Sequence, residues 1–224
     1  MTTRPSVRAG QWHPAFEEYC EAIFELREDD LEVIQARIAE RLEVSRPAVS
    51  EMIHKMEAGG LVSLQNGITL TAQGRVLAEQ VVRRHRLAER FLTDVLQLSW
   101  ADAHREACKW EHVISPVVES AIVRMLEDPT TCPHGNPIPG TDYDPGETRQ
   151  LTAAAVGDQF TIVRIPEELE FANGLLDFLE EAGVMPGRTG VITAASPDGT
   201  RTVDIGGRAV GIGAFASERI VISI

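Results

Sequence analysis

The run Cys108-Lys-Trp-Glu111-His112 carries the most chemistry in the chain. The surrounding segment, Ser99 to Ile114, has the spacing of one amphipathic helix. Successive helical residues turn by about 100°, so Cys108, Glu111 and His112 share a face at i, i+3 and i+4. A thiolate, a carboxylate and an imidazole aimed at one point suit a borderline transition metal such as Fe, Mn, Co, Ni or Zn. His104 lies one turn earlier on roughly the same side. Alone, such a run more often describes a core cysteine followed by a solvated pair. The elements around it decide between the two.

Apolar residues recur at helical spacing from Ala15 to Leu26, and again from Val33 to Leu42. Glu43-Val44-Ser45 makes a tight connection into a third helix, Arg46 to Glu57, with Ser45 as N-cap and Pro47 in the first turn. Gly59-Gly60 ends it, and two short β-like runs then flank the hairpin signal Asn66-Gly67. This order is that of a winged helix-turn-helix, which sets the N-terminus of its third helix in a major groove. A long helix follows from Thr71 to Leu98 and contains the most basic stretch of the chain, residues 83–90. Ser99 caps the Cys108 helix, and Ser115-Pro116 ends it and starts another. These helices carry more apolar surface than one small domain hides, which implies a helical dimer interface.

From Asp128 to Glu147 the chain is rich in Pro and Gly and reads as an extended linker. Beyond it, β-like runs at 160–165, 189–193, 202–205 and 219–224 surround one helix, Leu169 to Ala182, as in a small β barrel. The expected division is 1–78, a winged helix-turn-helix; 79–140, a helical dimerisation and metal-binding domain; 141–155, a linker; and 156–224, an SH3-like domain. The fold class is mainly α with a small β domain. The net charge of −13 argues against a non-specific nucleic-acid binder, so any DNA contact must be local. No apolar run is long enough to span a membrane, and residues 1–10 hold no apolar leader core. Three cysteines make no even disulfide framework, which fits a cytoplasmic protein.

Several motifs together resemble the diphtheria toxin repressor family of metal-dependent transcriptional regulators. They are Arg37-Ile-Ala-Glu-Arg-Leu42, Pro47-Ala-Val-Ser50, His85-Arg-Leu-Ala-Glu-Arg90, Glu106-Ala-Cys-Lys-Trp-Glu-His112 and Gly135-Asn-Pro-Ile-Pro-Gly140. The C-terminal segment, with Ala182-Gly-Val-Met-Pro-Gly187, is similar to the SH3-like domain of longer family members.

The resemblance implies a repressor of iron or manganese homeostasis genes, with Fe(II) or Mn(II) as co-repressor and Co(II), Ni(II) or Zn(II) as surrogates. It implies a homodimer on palindromic double-stranded operator DNA, with no membrane role. It assigns the activating ion to Glu18, Cys108, Glu111 and His112, and an ancillary ion to His85, Glu89, His104, Glu167 and Glu170. In the iron-type branch the position of Glu18 is a methionine; in the manganese-type branch it is a carboxylate, and so is the position of Cys108. Hard Glu18 with soft Cys108 leaves Fe against Mn open. The resemblance gives Cys20 and Cys132 no metal role and makes His54 and His134 surface residues. Arg46, Pro47, Ala48, Ser50 and Glu51 are expected in the groove, with Arg37, Arg46 and Lys55 on phosphates. A metalloenzyme or a metal buffer is the competing reading, since a Cys/Glu/His site can activate water.

Overall fold

A computed structural model describes residues 13–224. The segment read as lacking a leader therefore lies outside the described residues. The chain divides into a first unit ending at Arg83 and a second, Arg84–Ile224.

In the first unit, α1 spans Pro14–Glu28, with the His13 ring accepting from the Ala15 amide at 3.2 Å. α2 is short, Gln35–Arg41, and Glu43 at φ 52° turns the chain sharply out of it. α3 spans Arg46–Ala58, and the Ser45 hydroxyl accepts from the Ala48 amide at 3.3 Å, as a helix N-cap should. Strands β1 (Val62–Ser63) and β2 (Thr69–Leu70) pair antiparallel around the Asn66-Gly67 turn. Ile23, Ile38, Val49, Ile53, Met56 and Leu61 form the core beneath. Burying that apolar stripe of α3 leaves its other face to solvent.

Helix α4 runs Ala72–Asp94 and crosses from one unit to the next. The expected extension to Leu98 is not helical, because Gln97 adopts φ 58° and the Leu98 amide turns back to Leu92 O. α5 spans Trp100–Trp110, its Ser99 cap accepting from the Asp102 amide at 3.2 Å. It stops short of Ile114, so Glu111 is its C-cap. α6 is Pro116–Met125.

The segment expected as a linker is in part a packed loop. Cys132, His134, Asn136 and Ile138 are all buried. The Cys132 amide donates to Asn136 O, and the Ile165 amide to His134 O. Gly135 sits at φ 86°, and a Cβ there would lie 2.2 Å from Val163 O. Only glycine lets the loop approach so closely.

The C-terminal strands are β3 (Arg149–Gln150), β4 (Gln159–Arg164), β5 (Thr189–Ala195), β6 (Arg201–Ile205), β7 (Arg208–Ile212) and β8 (Val221–Ser223). They form one antiparallel sheet in the order β3-β8-β4-β5-β6-β7. Among the described residues no pairing joins β7 to β3, so the expected barrel is an open six-stranded sheet. The single helix expected over 169–182 is two, α7 (Glu167–Glu170) and α8 (Leu175–Ala182). Gly174 at φ 73° separates them. α9 (Ala214–Ser217) precedes β8. Trp100 packs with Phe160, Ile162, Ile192 and Val203 in one core, which joins the start of α5 to the sheet.

Candidate metal centre

Four segments of the second unit bring ligand atoms together. α4 carries His85 and Glu89 one turn apart, and α5 carries His104 and Cys108 one turn apart. The 131–138 loop supplies Cys132, His134 and Asn136; α7 supplies Glu167 and Glu170.

Glu89 is central and buried. Its Oε1 lies 3.2 Å from His85 Nε2 and 3.0 Å from His104 Nδ1; its Oε2 lies 3.5 Å from His134 Nδ1. Glu170 Oε2 lies 3.1 Å from His104 Nδ1 and 3.0 Å from His134 Nδ1. Glu170 Oε1 accepts from Asn136 Nδ2 at 2.7 Å, and Arg164 Nε donates to Asn136 Oδ1. Cys132 Sγ is 3.8 Å from His134 Nδ1. The ligand atoms of Glu89, Cys132 and His134 lie within 4.8 Å of one another, as do those of Glu89, His104 and Glu170, and those of His85, His104 and Cys108.

The charges in this cluster hold one another. Burial pushes the imidazoles of His85, His104 and His134 towards neutrality, yet Glu89 beside His85, Cys108 and then Glu170 beside His104, and Glu170 and Glu89 beside His134 win and raise all three well above the ordinary value. Burial likewise disfavours the ionised form of Glu89, but His134 and His85 hold it well below the usual carboxylate range. Glu170 is lowered too, against burial and the repulsion of Glu89, by His134 and His104. Burial and Glu89 push the Cys132 thiol up to about 11. Burial also opposes ionisation of Cys108, but hydrogen bonds with His104 and His85 bring it down to about 7. Cys108 lies at the rim, with part of its surface open to solvent.

Pairing alone does not satisfy the cluster. Glu89 Oε2, Glu170 Oε2, His85 Nε2 and His134 Nε2 are buried, and the close contacts above leave each without a well-aligned hydrogen bond. Buried polar atoms are normally bonded, and a convergent set of unsatisfied O and N atoms beside a thiol is what a transition-metal ion would complete. The residues present fit such an ion.

Of the residues assigned to the ancillary ion, the structure brings His85, Glu89, His104 and Glu170 together. Glu167 goes elsewhere: its Oε1 accepts from the buried Arg86 Nε at 3.2 Å. His134 corrects the expectation of a surface residue, because the Gly135 turn folds its loop under β4 and buries the ring completely, edge-on to Trp100 at 4.6 Å. His54 is exposed, as expected. Sequence reasoning assigns Cys132 and His134 no metal role, and the structure places both beside Glu89. The signal was a Cys-x-His pair directly ahead of Gly135-Asn136-Pro137. Of the activating set, Glu111 bridges His85 Nδ1 at 2.5 Å and His112 Nε2 at 3.2 Å, while Cys108 turns towards His104. Cys108, Glu111 and His112 do not form one of the gathered sets among the described residues. Glu18 is an exposed residue of α1 in the first unit.

On α3, Arg46, Pro47, Ala48, Glu51 and Lys55 are exposed and Ser50 is partly so. Arg37 on α2 donates to Glu32 O at 2.9 Å. No helix of the described residues is long and apolar enough to cross a membrane.

A winged helix-turn-helix followed by a buried Glu/His/Cys centre defines a metal-responsive DNA-binding regulator. The model of the iron-dependent repressor N-terminal DNA-binding domain matches residues 13–67, and that of the repressor's metal-binding and dimerisation domain matches residues 71–140. The chain is 39% identical to the iron-dependent repressor IdeR of Mycobacterium tuberculosis over 204 residues, spanning 85% of this chain and 88% of that protein. It is 48% identical over 128 residues to the diphtheria toxin repressor of Corynebacterium diphtheriae, 56% of this chain and 57% of that one. A solved manganese-dependent transcriptional repressor in complex with manganese superposes with a TM-score of 0.82 at 33% identity, covering 92% of this chain and 98% of that one. The chain belongs to the iron- and manganese-dependent repressor family. The relatives are named as transcriptional repressors, and nothing in them supports the metalloenzyme or metal-buffer reading.

Proposed function

We propose that this chain is a cytoplasmic, metal-activated transcriptional repressor that binds palindromic operator DNA as a homodimer, with Fe(II) or Mn(II) as co-repressor. The observation that carries the reading is the buried Glu89–His104–His134–Glu170 cluster with its unsatisfied oxygens and nitrogens. A divalent cation supplies concentrated positive charge there, together with a preference for N, O and S donors.

Glu89, His104, His134 and Glu170 are proposed to hold the ancillary ion, with His85 and Cys132 beside it. This moves the ancillary assignment from Glu167 towards the 131–138 loop. The activating ion is assigned to Glu18, Cys108, Glu111 and His112. Without an ion, the imidazoles keep protons that face Glu89 and Glu170, so these residues release protons as they take up metal. Asn136, fixed by Arg164 and by donation to Ile165 O, orients the Glu170 carboxylate. Val113, Val117, Val118 and Met125 form exposed apolar surface suited to a second copy of the chain, within and just before α6.

The test is capture of genomic DNA fragments by the full chain loaded with Mn(II) or anaerobic Fe(II), against the same protein in chelator. Enrichment of a common palindromic sequence only with metal is expected. Identical capture in chelator would contradict the proposal.

A further inference from the structure

The exposed face of α3 has an anion at its middle, where a surface that meets DNA would be expected to be basic. Val49, Ile53 and Met56 are buried, which turns Pro47, Ala48, Glu51 and Lys55 outward along one stripe. Glu51 lies one turn beyond Pro47 and Ala48, and one turn before Lys55. Lys55 Nζ contacts Glu51 Oε1 at 2.7 Å, and both side chains are well exposed, 57% for Lys55 and 70% for Glu51. That contact holds the Glu51 carboxyl below its usual range, so it presents acceptors only.

We infer that Glu51 is a specificity-determining residue that reads a cytosine in each operator half-site. The inference rests on the DNA-binding function proposed above. In the major groove the base-edge donors are cytosine N4 and adenine N6, and the adenine amine sits beside the acceptor N7. Guanine and thymine present acceptors, which repel a carboxylate. A carboxylate therefore gains a hydrogen bond at cytosine and meets repulsion at guanine and thymine, so it selects largely by rejection. Lys55 screens Glu51 from the phosphates that would otherwise oppose its entry. The same lysine can donate to guanine O6 or N7, the acceptors of a C·G pair.

The test is selection from a randomised DNA library by the full chain loaded with Mn(II), comparing wild type, Glu51→Gln and Glu51→Ala. Wild type should fix a cytosine at one position of each half-site, with about tenfold preference in competition binding. Glu51→Gln should move that position to adenine, which a carboxamide reads through N6 and N7, and Glu51→Ala should relax it. Both variants should melt with wild type, because the side chain is solvent-exposed. Identical base preferences for all three proteins, differing only in overall affinity, would overturn the assignment. Failure of wild type to enrich any sequence is a different result. It would remove the DNA-binding reading itself, and the assignment with it.

Discussion

Replacing His134 by Phe keeps a ring of similar size against Trp100, 4.6 Å away, but removes both nitrogens from the centre. Glu170 loses a partner at 3.0 Å and Glu89 one at 3.5 Å. Breaking a buried ion pair typically costs about 3–5 kcal/mol. Here Glu170 keeps His104 and Asn136, and Glu89 keeps His85 and His104, so the loss should be smaller. A loss of about 2 kcal/mol lowers the melting temperature of a domain this size by roughly 4–8 °C. The sign with pH follows from the raised His134 value. Its contribution is complete below the free-imidazole value of about 6.5 and fades as pH climbs through the higher folded-state value. In chelator the gap between wild type and variant should therefore be widest near pH 6 and close in the alkaline range. Stabilisation by Mn(II) should run the other way and grow with pH, because the ion needs the unprotonated ring. The assays are thermal melts across pH and calorimetric Mn(II) titration, in which the variant should lose the ancillary equivalent. Equal melting in chelator, with that equivalent retained, would make His134 a passive core ring and refute the reasoning.

His112→Ala should abolish metal-dependent operator binding while circular dichroism shows the fold unchanged; the loss should reach at least the roughly 10–100-fold typical of a supporting group at a metal site. Gly135→Ala forces a Cβ to 2.2 Å from Val163 O at φ 86°, so it should destabilise the protein by about 3 kcal/mol and weaken the ancillary metal equivalent, as melting and calorimetry would show. Glu18→Met exchanges a hard donor for a soft one, and should raise the half-maximal Mn(II) concentration for operator binding more than that of Fe(II) or Co(II). An equal shift for every ion would mean that Glu18 supplies charge, not selectivity.

The N-terminal architecture was legible because its signals are local. Ser45 ahead of Pro47, Gly59-Gly60 and Asn66-Gly67 each determine a cap or a turn, and α3 and the hairpin fall where they indicate. His85, Glu89 and His104 were legible for a related reason, since helical spacing places side chains on a face. The rest depends on contacts distant in sequence. His134 reads as a linker residue until the Gly135 turn and the bond from the Ile165 amide fold its loop under β4. The helix over 169–182 looks continuous by apolar spacing, but Asn173-Gly174 breaks it, and α7 is thereby free to direct Glu170 inward and Glu167 towards Arg86. β7 went unread because Gly206-Gly207 hides a hairpin whose alternate residues, Val210 and Ile212, are buried.

The claim that metal and operator binding are one coupled event is tested most directly by measuring each with and without the other. Operator affinity is measured by fluorescence anisotropy in Mn(II) and in chelator, and Mn(II) affinity by calorimetry with and without saturating operator. The coupling requires the two ratios to match, because linkage is reciprocal. Metal should tighten DNA binding by a large factor, and DNA should tighten metal binding by that same factor. Equal operator affinity in metal and in chelator, with Mn(II) affinity indifferent to DNA, would contradict it.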